Sequence, residues 1–198
     1  MKFDAVHDLQ DIYRKILTGM SRPGQIENIA AVGQKLRMEI TVDKNLTALL
    51  MTLLDGEVRF CFAAHADKQA ADKINQLTYA VQAQAAQADY IVVTRDTKPQ
   101  ELVEVLEQAR IGTLSDPHDS ATVIIEVQEL DSSRGLILKG PGIKDFTDLR
   151  VRTTHEWLPT RNEKVAEFPL GIDLILLDVH GNIACLPRST RITRQEAI

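Results

Sequence analysis

The sequence predicts a single α/β domain, residues 1–198, in which helices cover both faces of a mixed β-sheet. Segments with apolar residues at helical spacing alternate with short β-branched segments, of which residues 90–94 are the clearest. Two apolar segments near the end, residues 172–177 and 183–186, are separated by a Gly-Asn turn, which predicts a β-hairpin inside a covered sheet.

Three helices are predicted in the first half of the chain. Residues 4–19 carry an apolar stripe at spacings of three and four: Val6, Leu9, Tyr13, Ile16 and Met20. Residues 45–54 carry a broad leucine face, with Asp43 or Asn45 available as N-cap. Residues 67–88 predict a third helix with inward-facing Ile74, Leu77 and Val81, and residues 58–62 predict a strand before it.

In the second half, a helix is predicted to begin near Pro99, with Leu102, Val103, Leu106 and Ala109 facing inward. After a loop at 112–120, strands at 122–127 and 136–138 are predicted to pair through a turn at 132–135. A helix is predicted at 155–164, where Pro159 either starts it or kinks it. The polar tail, residues 190–198, is expected to be frayed.

Composition argues against several classes of protein. Hydrophobic residues make up 44% and charged residues 26%, which is typical of a globular protein. A net charge of −5 argues against a general nucleic-acid binder. We expect a cytoplasmic protein without a membrane partner, because no segment approaches the about 18 apolar residues of a span and the N-terminus lacks a signal peptide's apolar region.

The reactive residue types form no recognisable catalytic or metal-binding motif. The five histidines show neither HExxH nor a cluster with cysteine, so we predict no metal site. GxSxG, GxGxxG and the phosphate-loop pattern are also missing. Cys61 and Cys185 lie in strand-like segments and are predicted to be free buried thiols; a disulfide would require these segments to be neighbours.

Polar residues gather at the ends of the predicted hairpin. Asp173 stands in the most apolar part of the chain, where a carboxylate is costly unless it is paired. It either pairs locally, with Arg188 as the partner, or lines a site. Arg188, Ser189 and Thr190 are the best candidates for contacting an anion or nucleotide, because a guanidinium fork suits phosphate and phosphonate oxygens. A surface salt bridge of Arg188 is the alternative.

Two further motifs are predicted mainly as turns. Ser21-Arg22-Pro23-Gly24 follows the first helix, and its alternative role is to present Ser21 and Arg22 at a subunit interface. The segment from Gly140 to Gly142 predicts a turn or bulge, with an anion-binding nest of backbone N–H groups as the alternative.

The chain resembles the PhnH family of bacterial phosphonate metabolism, subunits of the carbon–phosphorus (C–P) lyase core complex. The resemblance rests on FPLGIDLIL at 168–176 with Pro-Arg-Ser-Thr after it, and on the Ser21–Gly24 turn. Short landmarks in the same order include GT at 112–113 and GPGI at 140–143. The glycines that we expect to carry these motifs are Gly24, Gly112, Gly140, Gly142 and Gly171.

The resemblance implies a fold like a reduced pyridoxal-phosphate-dependent transferase. Only Lys139 abuts a strand-like segment, so we predict no cofactor. It further implies a homodimer in isolation, whose surface a partner subunit reuses, and partner subunits PhnG, PhnI and PhnJ. With PhnG, PhnI and PhnL the chain would act as a non-catalytic or ligand-positioning subunit of α-D-ribose 1-methylphosphonate 5-triphosphate synthase. A stand-alone enzyme or small-molecule-binding protein is the alternative.

Overall fold

The computed structural model describes residues 2–37, 42–64 and 68–195. Within them the helices are α1 (Ala5–Ser21), α2 (Ala30–Gly33), α3 (Lys44–Leu53), α4 (Lys68–Thr78), α5 (Pro99–Gln108) and α6 (Leu158–Lys164). The strands are β1 (Ile26–Asn28), β2 (Arg59–Phe62), β3 (Val81–Gln82), β4 (Tyr90–Val93), β5 (Thr122–Glu126), β6 (Glu129–Lys139), β7 (Thr147–Arg152), β8 (Asp173–Leu177), β9 (Asn182–Leu186) and β10 (Arg191–Arg194). Single 3₁₀ turns occupy Ala85–Gln87 and Pro117–Asp119.

The main sheet is mixed, as predicted. Its strand order is β1-β9-β8-β5-β4-β2-β3, and β3, β2, β4, β5 and β8 run parallel to one another. Strand β9 is antiparallel to both β8 and β1, so the predicted hairpin at 172–186 is confirmed and lies inside the sheet. A second, antiparallel sheet has the order β10-β6-β7.

The two faces of the main sheet are covered differently. Alternate side chains of the central strands point to opposite faces, so Ile124 and Ile125 belong to separate hydrophobic cores. The core containing Ile124 is closed by α1, α2, α3 and α4. The core containing Ile125 is closed by α5, α6 and the small sheet. Helices do cover both faces, but a layer of β-structure that the sequence did not predict shares the second face.

Helices α1, α3 and α6 begin close to their predicted starts, because capping residues and a proline mark those positions in the sequence. Asp4 caps α1 by accepting hydrogen bonds from the backbone N–H groups of Val6 and His7. Asp43 caps α3 in the same way. Pro159 lies in the first turn of α6, where its missing N–H costs nothing, so it starts the helix rather than kinking it.

The buried face of α1 differs from the predicted stripe. Ile12 and Ile16 are buried, whereas Val6 and Tyr13 are exposed. The buried face also includes Asp8, whose carboxylate accepts a hydrogen bond from Lys35 Nζ at 2.6 Å. The buried face of α1 therefore includes an ion-paired carboxylate and does not coincide with the most apolar side of the helix.

The third predicted helix is too long. Helix α4 ends at Thr78, whose hydroxyl donates to the carbonyl of Ile74, and Tyr79 then takes a left-handed φ of 62°. Val81, predicted to face inward, is exposed in the short edge strand β3. Helix propensity in this Ala- and Gln-rich segment therefore gives way to pairing with β2.

The predicted pairing of 122–127 with 136–138 is wrong. Strand β5 lies between β4 and β8 in the main sheet, and β6 pairs with β7 and β10 in the small one. Strand β7 was not predicted, because four of its six residues are Thr, Asp or Arg and such a polar segment is typical of a loop. The predicted fraying of the tail is also wrong up to Arg194, because β10 pairs with β6 and buries Ile192. Residues 196–198 lie outside the described residues.

Both cysteines are buried free thiols, as predicted. Cys61 lies on β2 and Cys185 on β9, with β4, β5 and β8 between them. At about 4.8 Å per strand, the two strands are about 19 Å apart, and the thiols belong to different cores. No helix in the described part of the chain combines the length and apolarity that a membrane crossing requires.

Candidate functional site

The end of the hairpin is held by an ion pair between the first residue of β8 and the residue after Pro187. Arg188 Nη2 donates to Asp173 Oδ2 at 2.6 Å, and its backbone N–H donates to Asp173 Oδ1 at 2.7 Å. Arg188 Nε reaches the same oxygen at 3.3 Å. The local pairing that the sequence allowed for Asp173 is therefore confirmed, and it leaves this carboxylate committed to Arg188.

The same guanidinium also reaches the loop before β5. Arg188 Nη1 donates to the carbonyl oxygen of Pro117 at 2.6 Å. Gly112, with φ of 78°, places that oxygen 2.7 Å from where its own Cβ would be, so a side chain at 112 would displace the acceptor. Gly171 packs on the other side, against the Cβ of Arg188. Two predicted landmark glycines, Gly112 and Gly171, thus lie in the surroundings of one arginine.

A second contact joins the Gly140–Gly142 turn to the end of α1. The N–H of Ile143 donates to the carbonyl of Gly140 at 3.1 Å, which confirms the predicted turn. Gly142 has φ of 81°, and a Cβ there would lie 2.1 Å from the carbonyl oxygen of Ser21. Ser21 and Arg22 are exposed at this junction, and the Ser21 hydroxyl donates to the carbonyl of Thr18.

A cavity of about 530 Å³ opens beside these contacts. Its wall combines the 140s turn, helix α6 with the residues after it, and the segment that follows β9. The lining residues are Pro141, Arg161, Asn162, Val165, Ala166, Phe168, Arg188, Ser189, Thr190, Arg191 and Ile192. Arg188, Ser189 and Thr190, the predicted anion contacts, are therefore brought together here, whereas Asp173 is not part of the wall.

Arg161 is the residue of this wall that sequence reasoning missed. It is 0% exposed, its Nη2 donates to the carbonyl of Pro187 at 2.8 Å, and its Nη1 donates to Asn162 Oδ1 at 3.2 Å. Burial lowers the pKa of Arg161 to about 10, against an opposing attraction from Asp173, so the group is still cationic at neutral pH. The one signal in the sequence is that Arg161 follows Trp157 by four residues and Leu158 by three, so the three side chains share one face of a helix. Trp157 and Leu158 are both buried.

Two polar atoms in this wall have no hydrogen-bond partner among the described residues: Arg161 Nε and Thr190 Oγ1. Thr190 is 1% exposed, and its backbone N–H closes a turn onto the carbonyl of Pro187. Arg161 likewise has no water-accessible surface, so both groups are buried within the wall.

A second polar cluster lies at the opposite edge of the sheet, at the carboxyl ends of β4 and β5. Glu126 is buried and accepts a hydrogen bond from the N–H of Arg95 at 3.3 Å; burial raises the pKa of its carboxyl group, and Arg95 offsets part of that rise. His155 is also buried, with Nε2 3.1 Å from the carbonyl of Thr97. His155 faces a cavity of about 280 Å³. Nothing in the sequence signalled this cluster.

The described residues contain no group of three or more His, Cys, Asp or Glu side chains that could hold a metal ion. Comparison with known proteins gives a match to one family, described as bacterial phosphonate metabolism protein (PhnH), over residues 2–193. The chain belongs to the PhnH family. This confirms the resemblance carried by the 168–190 segment.

Two curated relatives are similar over most of their length. A protein of Stutzerimonas stutzeri, HtxG, named as a candidate C–P lyase subunit protein, is 30% identical over 95% of this chain and 87% of its own length. The PhnH subunit of alpha-D-ribose 1-methylphosphonate 5-triphosphate synthase of Rhizobium meliloti (strain 1021) is 26% identical over 97% of this chain and 94% of its own. The PhnH-family similarity therefore includes both the α1 junction and the arginine-lined cavity.

Proposed function

We propose that this PhnH-family chain is a non-catalytic or ligand-positioning subunit of a C–P lyase complex. In it, the chain acts with PhnG, PhnI and PhnL to convert ATP and an alkylphosphonate to α-D-ribose 1-phosphonate 5-triphosphate and adenine, and PhnJ is a further partner. The observation that carries the proposal is the family match over residues 2–193, joined to two relatives whose names describe C–P lyase or synthase subunits.

The chemistry of the described residues supports a positioning role. Asp173 is committed to Arg188, and burial raises the pKa of Cys61 to about 11 and that of Cys185 to about 12, which makes both thiols poor nucleophiles at neutral pH. What the chain offers instead is a cavity with several arginines and hydroxyls, a lining suited to binding and orienting an anionic ligand.

Self-association in isolation belongs to the same proposal. Val6, Tyr13 and Leu17 are exposed at spacings of seven and four along α1, so they form one apolar stripe. Ser21 and Arg22 lie exposed at the end of that helix. We expect Tyr13→Lys to shift the isolated chain from dimer to monomer in size-exclusion chromatography with light scattering. Gln108→Lys is the control, because Gln108 is an exposed polar residue on α5, away from this stripe.

An affinity purification tests the complex. The tagged chain is recovered from its own host, grown without phosphate on a phosphonate, and co-purifying proteins are identified by mass spectrometry. We expect PhnG, PhnI and PhnJ in stoichiometric amounts, and a deletion strain that no longer grows on phosphonate as sole phosphorus source. Recovery of the chain alone, or sustained growth of the deletion strain, would contradict the proposal.

The arginine-lined cavity favours a second candidate, a stand-alone protein that binds a phosphonate or nucleotide. Calorimetry of the isolated chain with ATP and with an alkylphosphonate detects such binding. Micromolar affinity without recovery of partners supports this alternative, and recovery of partners supports the complex.

We further propose that the protein is cytoplasmic and that its fold derives from that of pyridoxal-phosphate-dependent transferases. The parallel core β2-β4-β5-β8 covered by helices is compatible with that origin. The absorption spectrum of the chain purified with added pyridoxal phosphate tests the predicted lack of this cofactor, since a Schiff base at Lys139 would absorb near the visible range.

A further inference from the structure

The charges around the 530 Å³ cavity are unbalanced. Its wall contains Arg161, Arg188 and Arg191, and no aspartate or glutamate. The ion pair with Asp173 neutralises Arg188. Arg161 has no carboxylate within ion-pair distance among the described residues, although it is fully buried. Asp173 attracts Arg161 only from beyond ion-pair distance, and its carboxylate is already paired with Arg188. One carboxylate thus faces two buried or half-buried guanidinium groups, so an anion at this position would add stability.

The cavity wall also contains hydrogen-bonding groups that lack partners, and these too favour an anion. Arg161 Nε is a donor without a partner, and the hydroxyl of Thr190 is buried without one. Buried polar atoms normally have partners, so these two groups in one cavity wall are open to an external partner, either an ordered water or a ligand. A tetrahedral oxyanion has several acceptor oxygens, which suits a guanidinium N–H and a hydroxyl together.

Size and surroundings narrow the class of ligand. A volume of about 530 Å³ lies within the range of small-molecule sites and exceeds what a bare oxyanion requires. Phe168 is 70% exposed beside the cavity, and Val165 and Ala166 add apolar surface. The lining therefore suits an oxyanion that carries an organic group, with the anion near the arginines and the organic group against Phe168.

We propose that this cavity binds the phosphate or phosphonate group of a small organic molecule, with Arg161 as the buried charge and with the Thr190 hydroxyl, buried in the free chain, as a contact that forms when the ligand enters. Arg188, the more obvious arginine in the sequence, instead holds the wall in place through Asp173 and Pro117. The choice of a phosphorus oxyanion over a carboxylate rests on the proposed function; the anion site itself rests on the charges and contacts above.

Isothermal titration calorimetry of the full chain tests the site, with methylphosphonate, inorganic phosphate and ATP as probes and acetate for comparison. We expect binding of methylphosphonate or ATP in preference to acetate. Thr190→Val removes the orphaned hydroxyl at nearly constant volume, and Arg161→Gln removes the buried charge. Each should weaken binding about tenfold, the loss expected for one charge-assisted contact.

Arg134→Gln is the matched control, because Arg134 is an exposed arginine on β6 that does not line the cavity. It should leave binding unchanged. Thr190→Val should leave the free energy of unfolding unchanged or raise it, since the buried hydroxyl has no partner to lose among the described residues. This variant therefore tests the site even where Arg161→Gln fails to fold.

Three outcomes would overturn the proposal: no binding of any phosphorus probe, equal binding by wild type and Thr190→Val, or a Thr190→Val variant that loses stability but not affinity. Preference for acetate would keep the anion site and reject the phosphorus ligand. Affinity purification with Thr190→Val separates this proposal from the previous one, because we expect the variant to retain its partner subunits while losing ligand affinity.

Discussion

Arg188 directs both its backbone N–H and its guanidinium to one carboxylate, that of Asp173, which begins the neighbouring strand. The contact closes the open end of the β8–β9 hairpin, and the bond from Arg188 to Pro117 extends it to the loop before β5. One side chain thereby fixes three chain segments at the amino-terminal edge of β5 and β8. The ion pair is largely shielded from water, so we expect it to matter for stability.

Replacing Asp173 with Asn should lower the free energy of unfolding by about 2–4 kcal/mol, because it leaves Arg188 partly buried without its counter-charge. Urea unfolding measures this. Asp11→Asn is the control: Asp11 pairs with Lys15 on the surface of α1, and its loss should cost less than about 0.5 kcal/mol. A similar cost for both variants would show that burial adds nothing to the Asp173–Arg188 pair.

This ion pair was predictable from sequence because of local geometry. Residues 172–177 and 183–186 are apolar on both faces and are separated by a short Gly-Asn turn, so the hairpin and its antiparallel register follow. That register places Asp173 close to Arg188, and a carboxylate in an apolar strand requires a partner. Ser189 and Thr190 were predicted as anion contacts because they follow Arg188 at the polar end of the hairpin, and all three line the same cavity.

Arg161 and the small sheet were not predictable in this way. Arg161 lies in a short polar segment, and its burial depends on contacts with Pro187, 26 residues further along the chain. Strands β6, β7 and β10 combine apolar and charged residues, and their pairing is set by tertiary packing against the main sheet. Long-range contacts of this kind leave little periodic signal in one sequence.

Gly142→Ala should destabilise the chain by about 1–3 kcal/mol. Gly142 has φ of 81°, and an added Cβ would meet the carbonyl oxygen of Ser21 at 2.1 Å, so the turn and the end of α1 must move apart. Thermal and urea unfolding measure the loss. Gly56→Ala is the matched control, because its Cβ would meet only the Cβ of Tyr79, at 3.8 Å, and we expect its stability to be unchanged or higher by up to about 1 kcal/mol. Equal stability of both variants would exclude a close junction.

Ile192→Ala tests whether the tail is part of the folded core. Ile192 is 3% exposed on β10, and its truncation should cost about 2–4 kcal/mol in urea unfolding. Thr193→Ala, on the exposed side of the same strand, should cost less than about 0.5 kcal/mol. If Ile192→Ala behaved like Thr193→Ala, β10 would contribute nothing to stability and the sequence prediction of a frayed tail would be correct.

Glu126→Gln should change how stability depends on pH. Burial raises the pKa of the folded Glu126 carboxyl above its unfolded value of about 4.3, so the protonated form is favoured in the folded state. The wild type should therefore lose stability as pH rises from the unfolded pKa through the raised folded pKa. The Gln variant should lack this loss, so its stability relative to wild type should increase over that interval.

Urea unfolding at several pH values between about 4 and 8 measures the effect. Glu104→Gln, at an exposed position on α5, controls for removing a carboxylate as such. If the free energy of unfolding depended on pH equally in the wild type and in Glu126→Gln, Glu126 would not be desolvated. A Gln variant that becomes relatively less stable as pH rises would mean that the pairing with Arg95 outweighs the cost of burial.

Neither cysteine should react with alkylating reagents in the folded chain. Burial raises the pKa of the Cys61 thiol to about 11 and that of Cys185 to about 12, so at about pH 8 no more than about one in a thousand thiols is ionised. We expect iodoacetamide to modify both residues at least about 100-fold more slowly than in guanidinium chloride. Mass spectrometry of Cys61→Ser and Cys185→Ser assigns each rate, and rapid modification of either thiol in the folded chain would contradict its placement inside a core.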